Sequence, residues 1–495
     1  MVKGKKTGKR KVAKQASLPP LEQLVLKLHF TGELVRGFRP DLIRLESGLD
    51  GRGRGYLACE AIPAGKLVHR SAGYIFSPTA PPAAFLSSVP KEKQLSVHLL
   101  SQFVDRLEDA SFPTTHLHRL LSEVVWKGLQ PQNLDEWEGA QTPESRLIAE
   151  LYCQATGRPK EQVDKLARLG LIAVVNSHQV HYEFAQQVSD DWGVFPSASF
   201  FNHSCWPNCT AFYSKQTNEF WVQSIRDIAP GEELSINYVS LYLPRDERMS
   251  KLSLQYEFVC NCSKCKRECN RIDDYLEGFN CPKEGCNGAF LMQVIPGDYT
   301  DRVPASALFL KCTRCAFQEN SSDVAEEHRI AMEGIISKVS QVQAGANEKG
   351  LEELGQILSA AEKEIKQWLH PFHSYAFQMK MARAKLQKYI TMIDSATQED
   401  VIVQEGESEA LAKRRHNLER LLDALEQVNK LSAVIFPPNH PQRAHILLDM
   451  GNVNSILDRP ALGKKFITQG LQILTISRGE QIAKQQLQKL FSTER

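Results

Sequence analysis

A chain of 495 residues is too long for one hydrophobic core, so several domains are expected, and its 42% hydrophobic and 24% charged residues are ordinary for a soluble globular protein. A formal charge of only +2 argues against a dedicated nucleic-acid binder. No apolar run nears the roughly 20 residues that span a bilayer, and the basic start "MVKGKKTGKRKVAKQ" is not followed by a signal-peptide core, so a nuclear or cytoplasmic chain with no membrane partner is expected.

Residues 1 to about 20 carry Lys3, Lys5, Lys6, Lys9, Arg10, Lys11 and Lys14 with no acid before Glu22. They read as a disordered, solvated tail, as a nuclear-import or acidic-surface contact, or as both. Residues 21–45 read as a lead-in helix. From about 46 to 78, "DGRGRGYLACEAIPAGKLVHR" is the pattern of short strands punctuated by glycine turns. From 79 to 190 the period lengthens to that of helices, as in "HLHRLLSEVVWKGL", and strands return from about 194 to 240. A Cys-rich section follows from about 245 to 320.

The remainder is helical. Leu351, Leu354, Leu358, Ala361, Ile365 and Trp368 mark one apolar face, and Leu418, Leu421, Leu422, Leu425, Val428 and Leu431 another. Stacked helix pairs of this kind predict a tetratricopeptide-like array, without a clean repeat. The stretch "TQEDVIVQEGESEALAKRR" is expected to interrupt it as a loop.

Ten of the twelve cysteines fall between Cys205 and Cys315. In a reducing compartment such clustering points to metal rather than disulfides. "CNCSKC" sets Cys260, Cys262 and Cys265 at C-x-C-x2-C spacing, one thiolate short of a closed tetrahedral zinc site, and Cys205 in "FPSASFFNHSCWPNC" is the obvious fourth ligand. Four sulfurs leave no open position, so the site reads as structural. Cys281, Cys286, Cys312 and Cys315, at C-x4-C and C-x2-C spacing, read as a second zinc site of the ribbon type. Cys209 and Cys269 are left over, and Cys269 remains an alternative ligand for either set.

The strings "GRGRGYLA", "VFPSASFFNHSCWPNC", "IAPGEELSINY" and "LSLQYEFVCNCSKC", in that order, resemble the split SET domain of protein lysine methyltransferases, and more narrowly its SET-and-MYND (SMYD) branch. "IFPPNHPQRAHILLDMG" is similar to that branch's helical C-terminal domain. The resemblance implies an α+β multidomain chain. It runs from a basic tail (1–20) through a lead-in helix and the N-terminal part of SET (21–78), a helical insert (79–190) and the C-terminal part of SET (191–243). A post-SET zinc knuckle (244–270), a zinc ribbon (271–322) and a tetratricopeptide-like domain (323–495) follow.

The activity implied is protein N-lysine methylation from S-adenosylmethionine. By resemblance, Gly53, Arg54 and Gly55 give a close backbone approach to that donor, for which glycine is suited. Asn176, Asn202, His203 and Phe258 complete its site, Tyr238 matches the catalytic tyrosine, and Tyr256 forms a wall of the lysine channel. The implied partners are a lysine in an extended protein segment, such as a histone tail, and proteins docked on the C-terminal helices.

The residue types suit this chemistry. Methyl transfer to nitrogen needs a neutral amine, and a dry aromatic channel disfavours the ammonium form of a lysine whose free pKa is about 10.4. Aromatic faces and carbonyl oxygens tolerate a sulfonium, and in-line positioning supplies much of the rate. Two rival readings remain: a SET-fold scaffold without catalysis, and a nucleic-acid-binding ribbon with the SET core subordinate. The chain departs from the SMYD pattern in three ways. It lacks a Cys/His-dense MYND finger, with Cys153 alone between 60 and 204; it has His178 where an aromatic is usual; and it adds the ribbon.

Overall fold

The structure, a computed structural model, describes residues 40–47, 53–78, 80, 83–108, 142–180, 191–256, 258–266, 268, 272–293, 309–320, 348–398 and 407–492. The basic tail, the helical string at 116–129 and Cys269 lie outside them. So does most of the expected lead-in helix, and the described part of that segment differs from expectation. Ile43–Ser47 is a strand, β1, paired antiparallel with β2 (Arg54–Ala58). Alternation in "IRLES" decides this, with Ile43 buried and Arg44 exposed.

Three further small sheets join this pair in the described part of the first half. β3 (Leu67–Ser71), β9 (Glu219–Ser224) and β8 (Cys209–Ser214) form one, in the order β3-β9-β8. β4 (Tyr74–Phe76), β6 (Trp192–Val194) and β5 (Ser177–Gln179) form another, so the last residues of the segment expected to be helical complete a sheet. The third joins β7 (Asn202–His203) and β10 (Ser235–Ile236) in parallel. Against these sheets lie α1 (Gln94–Glu108), α2 (Thr142–Thr156) and α3 (Val163–Asn176). Leu166, Leu169 and Ile172 recur every third residue of α3 and are buried. Phe195 stacks on Phe220 with ring centroids 4.5 Å apart, and the buried Tyr56 hydroxyl donates to the Ser197 carbonyl at 2.8 Å. Both contacts fix the approach of the chain to β7.

After β10 come α4 (Arg245–Tyr256), the three cysteines of 260–265, α5 (Ile272–Leu276) and a four-stranded sheet in chain order. Its strands are β11 (Phe279–Asn280), β12 (Ala289–Gln293), β13 (Phe309–Cys312) and β14 (Gln318–Asn320). Six helices follow: α6 (Glu348–Trp368), α7 (Ser374–Gln398), α8 (Glu407–Ile435), α9 (Pro441–Ile456), α10 (Pro460–Arg478) and α11 (Glu480–Ser492). Each packs on the next in sequence. The expected loop at 397–415 is helical from Glu407, whose segment is rich in Glu, Ala, Leu, Lys and Arg, all good helix formers. Leu358, Ala361 and Ile365 are buried as expected, but Trp368 at the helix end is 41% exposed.

The two halves touch at defined points. Gln223 of β9 donates to the Ile476 carbonyl at 2.7 Å, and Asn439 donates to the Ile225 carbonyl at 2.8 Å. Arg478 donates to the Ala211 carbonyl at 3.1 Å, with its guanidinium 4.5 Å from the Phe212 ring centroid. α5 is a second bridge, since Ile272 and Leu276 belong to the core of Phe377, Leu418 and Leu422.

Candidate active site and metal centres

The two-residue pairing of β7 with β10 sets the site, because it lays Asn202 opposite Ser235 and His203 opposite Ile236, two residues before Tyr238. His203 is buried and its ring is fixed at both nitrogens. Nδ1 accepts from the Tyr238 backbone N–H at 2.9 Å, which leaves the proton on Nε2 to donate to Cys205 Sγ at 3.2 Å. Burial pulls His203 down to about 3, so it is neutral across the physiological range. The Asn202 amide is equally fixed, Nδ2 donating to the Arg54 carbonyl at 3.1 Å and to Glu233 Oε1 at 2.7 Å. Both amide hydrogens are used, so its Oδ1 stays available as an acceptor.

Aromatic rings close in from the other side. The Tyr238 ring lies 4.8 Å from Tyr256, 5.4 Å from His203 and 6.4 Å from Phe258, and Phe258 is 6.1 Å from His203. The Tyr238 hydroxyl donates to the Phe201 carbonyl at 2.5 Å. Burial, then the proximity of Tyr256 and Glu233, pushes this phenol well above its ordinary range, so it stays protonated. His178 stands edge-on to Tyr238 at 5.5 Å and stacks on Phe220 at 5.3 Å, a wall with a polar edge.

The glycine segment arrives beside Asn202 through β2. Gly53 has φ +80°, a conformation that disfavours side chains. Arg54 lies 5.2 Å from the Phe200 ring centroid, and Gly55 pairs with Glu46 in the β1–β2 ladder. Asn176 is less directly engaged: its side chain turns back to the Ile172 carbonyl at 3.0 Å, while its own carbonyl accepts from Ser199 at 3.5 Å. It therefore sits behind the turn that precedes β7.

The structure brings the sulfurs of Cys205, Cys260, Cys262 and Cys265 to within 4.8 Å of one another. Cys205 Sγ is 4.0 Å from Cys260 Sγ and 3.5 Å from Cys265 Sγ. Four ligands at the usual zinc–sulfur distance of about 2.3 Å would stand about 3.8 Å apart at the corners of a tetrahedron, so the donor set fits zinc. Hydrogen bonds from Cys205, Cys260 and Cys265 draw the Cys262 thiol below its usual range. Tyr238, Tyr256 and Phe258 pack on this cluster, so metal ligands and aromatic walls share one small core.

The second set, Cys281, Cys286, Cys312 and Cys315, also lies within 4.8 Å, with Cys281–Cys315 and Cys286–Cys312 each at 3.6 Å. Burial opposes ionisation of Cys312, but backbone N–H donors of Cys315 and Arg314 bring its thiol down to about 6. A Cβ at Gly288 would sit 2.4 Å from Cys312 Sγ, so only glycine fits against this sulfur. Cys209 is buried in β8, away from both sets.

Four polar residues of this region were given no role by the sequence: Glu233, which lies within "IAPGEELSINY" and holds Asn202, Lys264, which lies within "CNCSKC", and Arg248 and Asp273, which lie outside every motif and sit behind the first cluster. Arg248 sits in a charge-rich stretch that looks like a solvated face, and the knuckle spacing around Lys264 marks its cysteines but not the lysine as buried.

The paired short strands, the Asn-His-Ser-Cys turn and Tyr238 lie within residues 53–239, which match the SET domain family model. The chain is SMYD-like. It is 31% identical to a SET and MYND domain-containing protein of Dictyostelium discoideum over 25% of this chain and 32% of that one. It is 38% identical to the Homo sapiens histone-lysine N-methyltransferase SMYD3 over 17% of this chain and 19% of that protein. It is 32% identical to the Gallus gallus N-lysine methyltransferase SMYD2 over 21% and 24% respectively. The aligned segments thus span a third or less of these relatives.

Proposed function

We propose that this protein is a protein N-lysine methyltransferase that uses S-adenosylmethionine and acts on a lysine of a histone or other protein. The observation that carries the reading is the junction at Tyr238. Its backbone is tied to His203, its hydroxyl to the Phe201 carbonyl, and its ring to Tyr256, all beside the Asn202–Arg54 contact.

S-adenosylmethionine would supply an activated methyl group on a positively charged sulfur. Gly53, Arg54, Asn202, His203 and Phe258 are the residues we assign to hold it, through backbone groups, the Asn202 Oδ1 acceptor and the Phe258 ring. The half-buried rings of Tyr238 and Tyr256 would limit water and favour the neutral form of an entering lysine amine. The Tyr238 phenol stays protonated, so it orients the amine and does not act as a base. Most of the acceleration assigned to the protein is alignment of the reacting groups. The cysteine sets are assigned structural zinc ions.

Transfer of labelled methyl from S-adenosylmethionine to proteins of a mixed lysate tests this. Wild-type protein should label acceptors, and Tyr238→Phe should lower the rate by about 10²-fold or more, as loss of a positioned hydroxyl commonly does. Equal labelling by the two, or no labelling by folded, donor-bound wild type, leaves the scaffold reading instead.

A further inference from the structure

Two fully buried charged residues among those described do not belong to the aromatic site. Arg248 of α4 is 0% exposed, and all five of its N–H donors are used. Nε donates to Cys205 Sγ at 3.2 Å and Nη2 to Cys265 Sγ at 3.7 Å. Nη1 donates to the Leu243 carbonyl at 2.6 Å and to Asp273 Oδ1 at 3.1 Å, and Nη2 also reaches Asp273 Oδ2 at 2.5 Å. Lys264, likewise 0% exposed, donates to the Leu241 carbonyl at 3.2 Å and lies 3.5 Å from Asp273.

Arg248 and Lys264 directly contact one carboxylate, Asp273, and burial pushes the neighbouring Glu277 up to about 7, so two cations leave water for little more than one anion, which is expensive. The missing negative charge is in the sulfurs. Four thiolates around one Zn²⁺ carry a formal charge of −2, and in a low-dielectric interior that excess needs a counter-charge. Arg248 and Lys264 together exceed Asp273 by one positive charge, and Arg248 delivers it as N–H donors aimed at two of the sulfurs. Such donors to metal ligands fix ligand orientation and tune affinity.

We infer that Arg248, backed by Lys264 and only partly offset by Asp273, is a positioning residue of the post-SET cluster: a buried cationic seat whose net charge sets how firmly its thiolates keep a zinc ion. Among the described residues the ribbon cluster has no such seat; the hydrogen bonds to Cys312 there come from the backbone of Arg314 and Cys315. The inference concerns metal retention and stands whether or not the protein transfers methyl groups.

Zinc-loaded full-length protein is challenged with excess EDTA, and released zinc is followed with a metallochromic indicator. Cys286→Ser identifies the phase belonging to the ribbon. Arg248→Met should release the post-SET zinc at least tenfold faster with the ribbon phase unchanged, and Arg248→Lys should recover most of the difference. Lys264→Met, which touches no sulfur, should accelerate release severalfold. Asp273→Asn removes the negative member and should release zinc no faster than wild type. A merely structural network predicts the reverse for Asp273→Asn, which unhooks the guanidinium. Should Arg248→Met fail to fold, the lysine and aspartate variants still decide. The inference is overturned by wild-type release from Lys264→Met or Arg248→Met, by faster release from Asp273→Asn, or by a wild-type protein with no zinc at this cluster.

Discussion

The two four-cysteine clusters share a ligand set and a sulfur spacing near 3.6 Å, yet they tie together very different things. The first set joins Cys205 to sulfurs 55 to 60 residues away, so closing it draws the Asn202–His203 turn onto the segment that bears Tyr256 and Phe258. Its ligands are largely buried, and charged or neutral side chains donate to them. The ribbon closes within one local sheet over a small core of Phe290 and Leu310, and its Cys315 is exposed. The same chemistry therefore organises a site in one place and staples a surface module in the other. A metal site's importance follows from which chain segments it brings together.

Breaking the first cluster should have the largest effect. Cys262→Ser is expected to destabilise the tail by roughly 4 kcal/mol or more, as loss of a structural metal does, and to abolish S-adenosylmethionine binding. Calorimetric titration with the donor checks this, and an unaltered affinity would show that the cluster does not shape the site. Breaking the second should do much less. In Cys286→Ser the sheet of β11 to β14 should lose its zinc and open to amide exchange, while the remaining stability changes by under about 1 kcal/mol because the sites share no partner. Donor affinity falling together with the ribbon would erase the contrast drawn here.

A third effect sharpens the comparison by locating a pH response away from both clusters. In the helical half, burial and then Arg478 and Lys388 pull His445 down to about 4. Its Nδ1 has no hydrogen-bond partner. The folded pKa is depressed below the ordinary value of about 6.5, so the unfolded chain takes up the proton first. The associated stability is complete above that value and is lost as pH falls toward 4. About 1–2 kcal/mol should disappear between pH 7.5 and 5. Denaturant melts of wild type against His445→Gln at the two pH values measure it, and parallel losses would assign the slope to other groups.

Much of the candidate site was legible because its elements announce themselves in short range. The cysteine spacings fit two tetrahedral sets, the Asn-His-Ser-Cys turn lies where it meets Tyr238, and the aromatics at 256 and 258 follow the same tyrosine. The misread pieces were those that local pattern describes poorly. Ile43–Ser47, whose alternation is short, is held as a strand by pairing with Arg54–Ala58, and Ser177–Gln179 by pairing with Trp192–Val194. Glu407 begins a helix in a stretch expected to interrupt the array as a loop.

By itself, the order of residues determined the metal-capable donor sets, the aromatic pair and the strand–helix–helix organisation, since each depends on residue type and on neighbours within a few positions. Only the tertiary structure decided that Arg248 and Lys264 are interior charges, that Glu233 holds Asn202, and that α5 carries Asp273 on one side and core residues of the helical half on the other. Burial of a charge is paid for by partners far away in the chain, and sequence neighbours carry no record of where those partners will be.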